Sequence, residues 1–204
     1  MHTLVQYRGT VVAATYCPPA SLTGPVSIRT LKARFTDAIA RVVLAQAHLH
    51  VSIAGENTAK PTFVCLEAPD LRNHIHWKTF HDVVSREKQC LEESQLQLDS
   101  RYDNLGTQPG CRVVILYDVG AESIEVLYVW NHPHHDGMIG KIFHHQLFQH
   151  LNNKKNISQP PAYQVQDDSG CLIVKLPDSA ENLLPPSEIL IAFAMTTAFL
   201  FKKS

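Results

Sequence analysis

The chain has 204 residues, of which 45% are hydrophobic and 18% are charged. This composition supports a sizeable core in one domain or two small ones, and it argues against wholesale disorder. The formal net charge of -1 argues against a nucleic-acid-binding protein, which would carry a basic excess on one face.

The sequence carries only weak signals for a cellular compartment or for a membrane span. Its five cysteines lie scattered, which indicates reduced intracellular thiols rather than a disulfide framework. Residues 1–8 lack the apolar core of a signal peptide, so we expect a cytoplasmic protein. The apolar run 189–201 is too short to span a bilayer as a helix and predicts a buried helix.

The first half of the chain alternates strand and helix patterns. A β-prone run at 11–16 predicts a strand. Apolar residues then recur every three or four positions from Val26 to about Ala47 and predict a helix with one apolar face. Short strands are predicted at 50–54, 63–66 and 75–77.

The next segments predict a surface helix, a hairpin and a second amphipathic helix. Residues 79–98 are polar and predict a helix on the surface. Two strands at 112–117 and 123–130 flank a short Gly-containing connector, which favours an antiparallel hairpin. Apolar spacing over 139–151 then predicts a helix.

This order predicts an α+β fold, a mixed α/β two-layer sandwich with a mostly antiparallel sheet packed by helices. Three regions follow from it. Residues 1–152 contain the predicted sheet and its helices, 153–186 form a loop or linker, and 187–204 form a C-terminal helix with Ser187 as its N-cap.

The informative motif lies where the second hairpin strand ends. His132 enters a Pro-containing turn, and Asp136 and Gly137 follow it. A histidine at a strand end is held rigidly but stays reachable, and imidazole exchanges protons near neutral pH, which suits a general base. The carboxylate could orient the ring or hold the turn, and the spacing alone leaves both roles open.

This segment resembles the HHxxxDG motif of the chloramphenicol acetyltransferase-like superfamily, which includes condensation domains and alcohol acetyltransferases. The chain is most similar to the N-terminal half of fungal alcohol acetyltransferase-like proteins. The resemblance extends over most of 8–152 through the segments 8–16, 47–49, 62–66, 70–71, 74–77 and 136–144.

The resemblance implies a role for each motif residue. His132 matches the catalytic base, Asp136 matches a structural aspartate that pairs with an arginine, and Gly137 matches a glycine that leaves room for the substrate channel. Asn131 stands where the motif has its first histidine. The family has two similar halves with the active site in a tunnel between them, and this chain resembles one of them.

A metal site is the alternative reading of the same region. His132, His134, His135 and Asp136 could join His144 and His145 around zinc. We expect no metal, because the segment lacks the helical HExxH geometry of zinc hydrolases.

The resulting expectation is a CoA-dependent acyltransferase of secondary metabolism, most simply an O-acetyltransferase acting on a small alcohol. It would use an acyl-CoA as co-substrate and no other cofactor. The alternative is a non-catalytic half-domain that dimerises or pairs with a separate partner half. No nucleic-acid partner and no membrane span are expected.

Overall fold

The computed structural model describes residues 9–22, 27–80, 86–118, 123–134, 137–153, 156, 159–166 and 171–173. Its centre is a four-stranded sheet of β1 (Thr10–Tyr16), β4 (Ile75–Thr79), β5 (Cys111–Tyr117) and β6 (Ile124–Trp130). The order is β1-β6-β5-β4. β6 pairs antiparallel with β1 and β5, whereas β4 pairs parallel with β5. The predicted hairpin and the mostly antiparallel sheet are confirmed.

Both faces of the two central strands are buried, which explains their almost continuous apolar sequence. Val113, Ile115 and Tyr128 belong to the larger core, on one face of the sheet. Val114 and Leu127 alternate with them and belong to a smaller core on the other face. The end of β6 is therefore fixed from both sides.

Two helices cover the face of the larger core. Helix α1 (Ile28–Ala45) buries Leu31, Phe35 and Ile39 at the spacing that predicted it. Helix α3 (Ile139–Asn152) packs beside α1 and directly follows the motif turn. The predicted α+β class is confirmed.

Helix α2 (Arg86–Asp99) covers the opposite face of the sheet, against β1 and β6. The apolar side chains of Leu91 and Leu98 in this helix are 59% and 42% exposed. Gln97 is buried instead, and Glu93 faces Lys78 of β4 with 2.8 Å between Nζ and Oε1. The reason is that these polar groups have partners: Gln97 Nε2 donates to Glu93 at 2.7 Å, and Glu93 pairs with Lys78 of the sheet. Residues 81–85 were predicted to belong to this helix, and they lie outside the described residues.

A separate hairpin stands beside the sheet, made by β2 (Val51–Ala54) and β3 (Thr62–Cys65). It is fixed to the loop before β5. The Ile53 N–H donates to the Leu105 carbonyl at 3.2 Å, and the buried Ser52 hydroxyl donates to the Gln108 carbonyl at 2.5 Å.

The segment that was predicted as a linker contains two short paired strands, β7 (Gln164–Gln166) and β8 (Cys171–Ile173). Before them, the Ala162 N–H donates to Asp37 of α1 at 2.8 Å, so this part of the chain is attached to the core. The predicted helix at 187–204 lies outside the described residues, and the domain boundaries stay predictions. None of the helices in the described ranges combines the length and the apolar character that a membrane crossing requires.

Candidate active site

A single turn of 3₁₀ helix, His132–His134, follows β6 directly. The strand ends at Trp130 and Asn131 follows it, and both side chains are buried, at 1% and 0% exposed. The Asn131 N–H donates to the Gly110 carbonyl at 2.8 Å, and the His134 N–H donates to the Asn131 carbonyl at 2.9 Å. The turn is thus closed on itself and attached to the loop before β5.

His132 is exposed in this turn, whereas Asn131 and His134 are buried. A small molecule in solvent can therefore reach the ring, which is held by a rigid strand end. Gly137 lies partly buried in the turn before α3, and Asp136 and His135 lie outside the described residues. The roles of these residues stay predictions.

Asn131, at the place of the first motif histidine, is fully buried. Its backbone N–H and carbonyl make the two hydrogen bonds that begin and close the turn. A side chain at this position therefore lies inside the protein and not on the open side where His132 is exposed.

His134 is 5% exposed and packs between two residues that the sequence analysis did not single out. A Cβ added to Gly110 would lie 2.5 Å from the His134 Cε1 atom. On another side, the Phe63 ring of β3 lies edge-on, with 6.2 Å between ring centroids. No spacing rule links positions 63, 110 and 134, because the fold alone brings them together.

The first turn of α3 lies close to β1 and β6. A Cβ on Gly140 would lie 2.5 Å from Cγ2 of Val12 and 3.1 Å from Cζ3 of Trp130. One turn later, the Phe143 ring stacks on Tyr128 with 4.1 Å between centroids. Glycine and stacked aromatic rings thus fix the helix that follows the motif.

In the alternative zinc site, His144 is not available as a ligand, because its side chain is buried between α3 and β1. Its Nδ1 lies 3.0 Å from the Tyr16 hydroxyl and its Nε2 lies 3.0 Å from the Val12 carbonyl oxygen. Burial also lowers its pKa. Within the described part of the chain, no three His, Cys, Asp or Glu side chains come together as a metal site.

A cavity of about 20 Å³ lies inside the larger core. Among its lining residues are His74, Cys111, Tyr128 and Phe143. Such a volume holds roughly one water molecule.

The comparisons with known proteins agree with this architecture. The chain matches no protein-family model. Over 142 residues, 63% of the chain, it is 30% identical to "Probable alcohol acetyltransferase FCK4" of Fusarium pseudograminearum. It spans only 28% of the length of that relative.

Two solved structures share the fold at low sequence identity. The epimerization domain from the third module of tyrocidine synthetase B matches 78% of the chain, with a TM-score of 0.54 and 15% identity. The condensation domain of the Monacolin K polyketide synthase MokA matches 73%, with a TM-score of 0.51 and 12% identity.

The chain is a half-domain of the condensation-domain, chloramphenicol acetyltransferase-like fold. The match covers 34% of the epimerization domain structure and 30% of the condensation domain structure. The predicted resemblance is confirmed. In this half-domain the motif turn stands at the end of a central strand, and His132 is exposed in it.

Proposed function

We propose that this half-domain belongs to an acyltransferase that moves an acyl group from acyl-CoA to the hydroxyl of a small alcohol, with His132 as the general base. The observation that carries the proposal is the exposed imidazole on a turn whose backbone is fixed at both ends. The printed name of the Fusarium relative, an alcohol acetyltransferase, supports the reaction class.

The proposed chemistry needs one proton carrier and no metal. His132 takes the proton of the acceptor hydroxyl while the oxygen attacks the thioester carbonyl carbon. The tetrahedral intermediate then collapses, the carbon–sulfur bond breaks, and the imidazolium returns the proton to the leaving thiolate. An ester and free CoA thiol are the products.

The direct test is release of CoA thiol from acetyl-CoA in the presence of a panel of small alcohols. We expect His132→Ala to lower the rate about 100- to 10,000-fold, the usual contribution of a general base. His145→Ala is the matched control, because His145 is also an exposed histidine but lies on α3. Equal rates for wild type and His132→Ala would make the enzyme proposal wrong.

A second candidate is a non-catalytic half-domain that associates with another half. The observation that favours it is a group of exposed apolar side chains on and just before α3, namely Met138 at 46%, Ile142 at 40% and Phe148 at 58%. Sedimentation equilibrium tests it. Self-association that Ile142→Asp abolishes would support this candidate, and a monomer at all concentrations would contradict dimerisation.

A further inference from the structure

The ring of His134 rests directly on the backbone of Gly110. A Cβ built on this glycine would lie 2.5 Å from Cε1 and 2.6 Å from both ring nitrogens. Carbon atoms in favourable contact are about 3.5–4.0 Å apart, so even one methyl group does not fit here. A side chain at this position therefore requires the His134 ring to shift.

Gly110 contacts the motif turn at two points. Its carbonyl accepts the Asn131 N–H at 2.8 Å, where the turn begins, and its Cα faces the His134 ring, where the turn ends. His132 lies between these two points. One residue of the loop before β5 therefore contacts the chain on both sides of the proposed base.

The His134 ring has little room to move away from Gly110. It is only 5% exposed, and the Phe63 ring packs against it edge-on at 79°. Phe63 is in turn carried by the hairpin β2–β3, which is hydrogen-bonded to the same loop through Ser52 and Ile53. Loop, hairpin and turn thus form one connected unit.

From this geometry we propose that Gly110 is a positioning residue for the base, acting through His134 to fix the turn that holds His132. The proposal rests on the proposed function of His132. A side chain at position 110 displaces the His134 ring, and the closed turn passes that displacement to the imidazole two residues earlier. Misplacing a reacting group by about 1 Å reduces rates by roughly 100-fold.

The test compares Gly110→Ala with Gly106→Ala in the same loop. A Cβ on Gly106 would meet nothing within 4 Å, so this variant controls for the added methyl group alone. We expect Gly110→Ala to lower kcat by about 100-fold with little change in KM. Gly106→Ala should keep the wild-type kcat.

A second-site variant separates positioning from simple unfolding. Gly110→Ala combined with His134→Ala removes the ring that clashes, so kcat should recover by at least about tenfold over Gly110→Ala. The NMR signal of the His132 ring should shift in Gly110→Ala and return toward its wild-type position in the double variant. No recovery, or an unshifted His132 signal in Gly110→Ala, would overturn the proposal. A wild type without acyl transfer would refute the proposed function instead, and the NMR signal would still decide the positioning.

Discussion

The hydroxyl of Tyr16 lies 3.0 Å from Nδ1 of His144, and this buried hydrogen bond joins β1 to α3. The other ring nitrogen, Nε2, lies 3.0 Å from the Val12 carbonyl oxygen. Because a carbonyl can only accept, Nε2 carries the proton and Nδ1 accepts from the tyrosine. A neutral imidazole therefore attaches the helix after the motif to two points of one strand.

Tyr16→Phe removes the hydroxyl that donates to the His144 ring and leaves the buried Nδ1 without a hydrogen-bond donor. We expect the free energy of unfolding to fall by about 1–3 kcal/mol, the usual penalty for an unsatisfied buried polar atom. Urea denaturation measures it. Tyr117→Phe is the control, because the contacts described for Tyr117 are made by its ring with Trp77 and Lys32. Equal losses in the two variants would contradict this role of the Tyr16 hydroxyl.

The substitution Gly140→Ala should have two opposite effects on stability, one from helix propensity and one from packing. Alanine in a helix interior is favoured over glycine by about 1 kcal/mol. Here, however, the new Cβ would lie 2.5 Å from Cγ2 and 2.8 Å from Cβ of Val12. Overpacking of this kind destabilises by about 1–3 kcal/mol, so we expect a net loss of stability or no gain. A clear rise in the melting temperature would show that β1 and α3 are not in close contact.

The stability of the protein should fall in mild acid because His74 is buried. Its side chain is 6% exposed, its Nδ1–H donates to the Cys111 carbonyl at 2.8 Å, and burial lowers its pKa from 6.5 to about 4. The unfolded chain therefore binds the proton more readily. The contribution of His74 to the free energy of unfolding is fully present above about pH 6.5 and is lost as the pH falls from there toward 4.

Because of His74, the free energy of unfolding should be about 2 kcal/mol lower at pH 5 than at pH 7.5. His74→Asn keeps a donor for the Cys111 carbonyl and removes the titration, so its unfolding free energy should change less between the two pH values. His145→Asn, at an exposed position, should keep the wild-type difference. A wild-type difference in His74→Asn as well would mean that other groups cause the acid sensitivity.

The sequence predicted those parts of the fold in which burial follows a regular period. Helix α1 was recognised because Leu31, Phe35 and Ile39 recur at helical spacing and all are buried. The hairpin of β5 and β6 was recognised because two apolar strand segments flank a short connector that contains Gly. Strands β7 and β8 were missed because three residues are too few to show a period.

The burial pattern of helix α2 and the contacts that support the motif turn could not be predicted from the sequence for a different reason. In α2 the side chain of Gln97 is buried and that of Leu98 is exposed, so long-range partners such as the Lys78–Glu93 pair override the apolar rule. His134 was a candidate ligand in the sequence, but its burial against Gly110 arises from contacts between distant segments. The motif predicted where His132 lies in the chain, but not which residues support the turn that carries it.

The most direct test of the account is chemical rescue of the missing base. His132→Ala leaves an open space on the solvent side of the turn, so free imidazole can reach the acceptor hydroxyl. We expect the rate of CoA release to fall about 100- to 10,000-fold in this variant and to rise with added imidazole until it saturates. His145→Ala should keep the wild-type rate and not respond to imidazole. A His132→Ala protein that transfers acyl groups at the wild-type rate without imidazole would contradict the account.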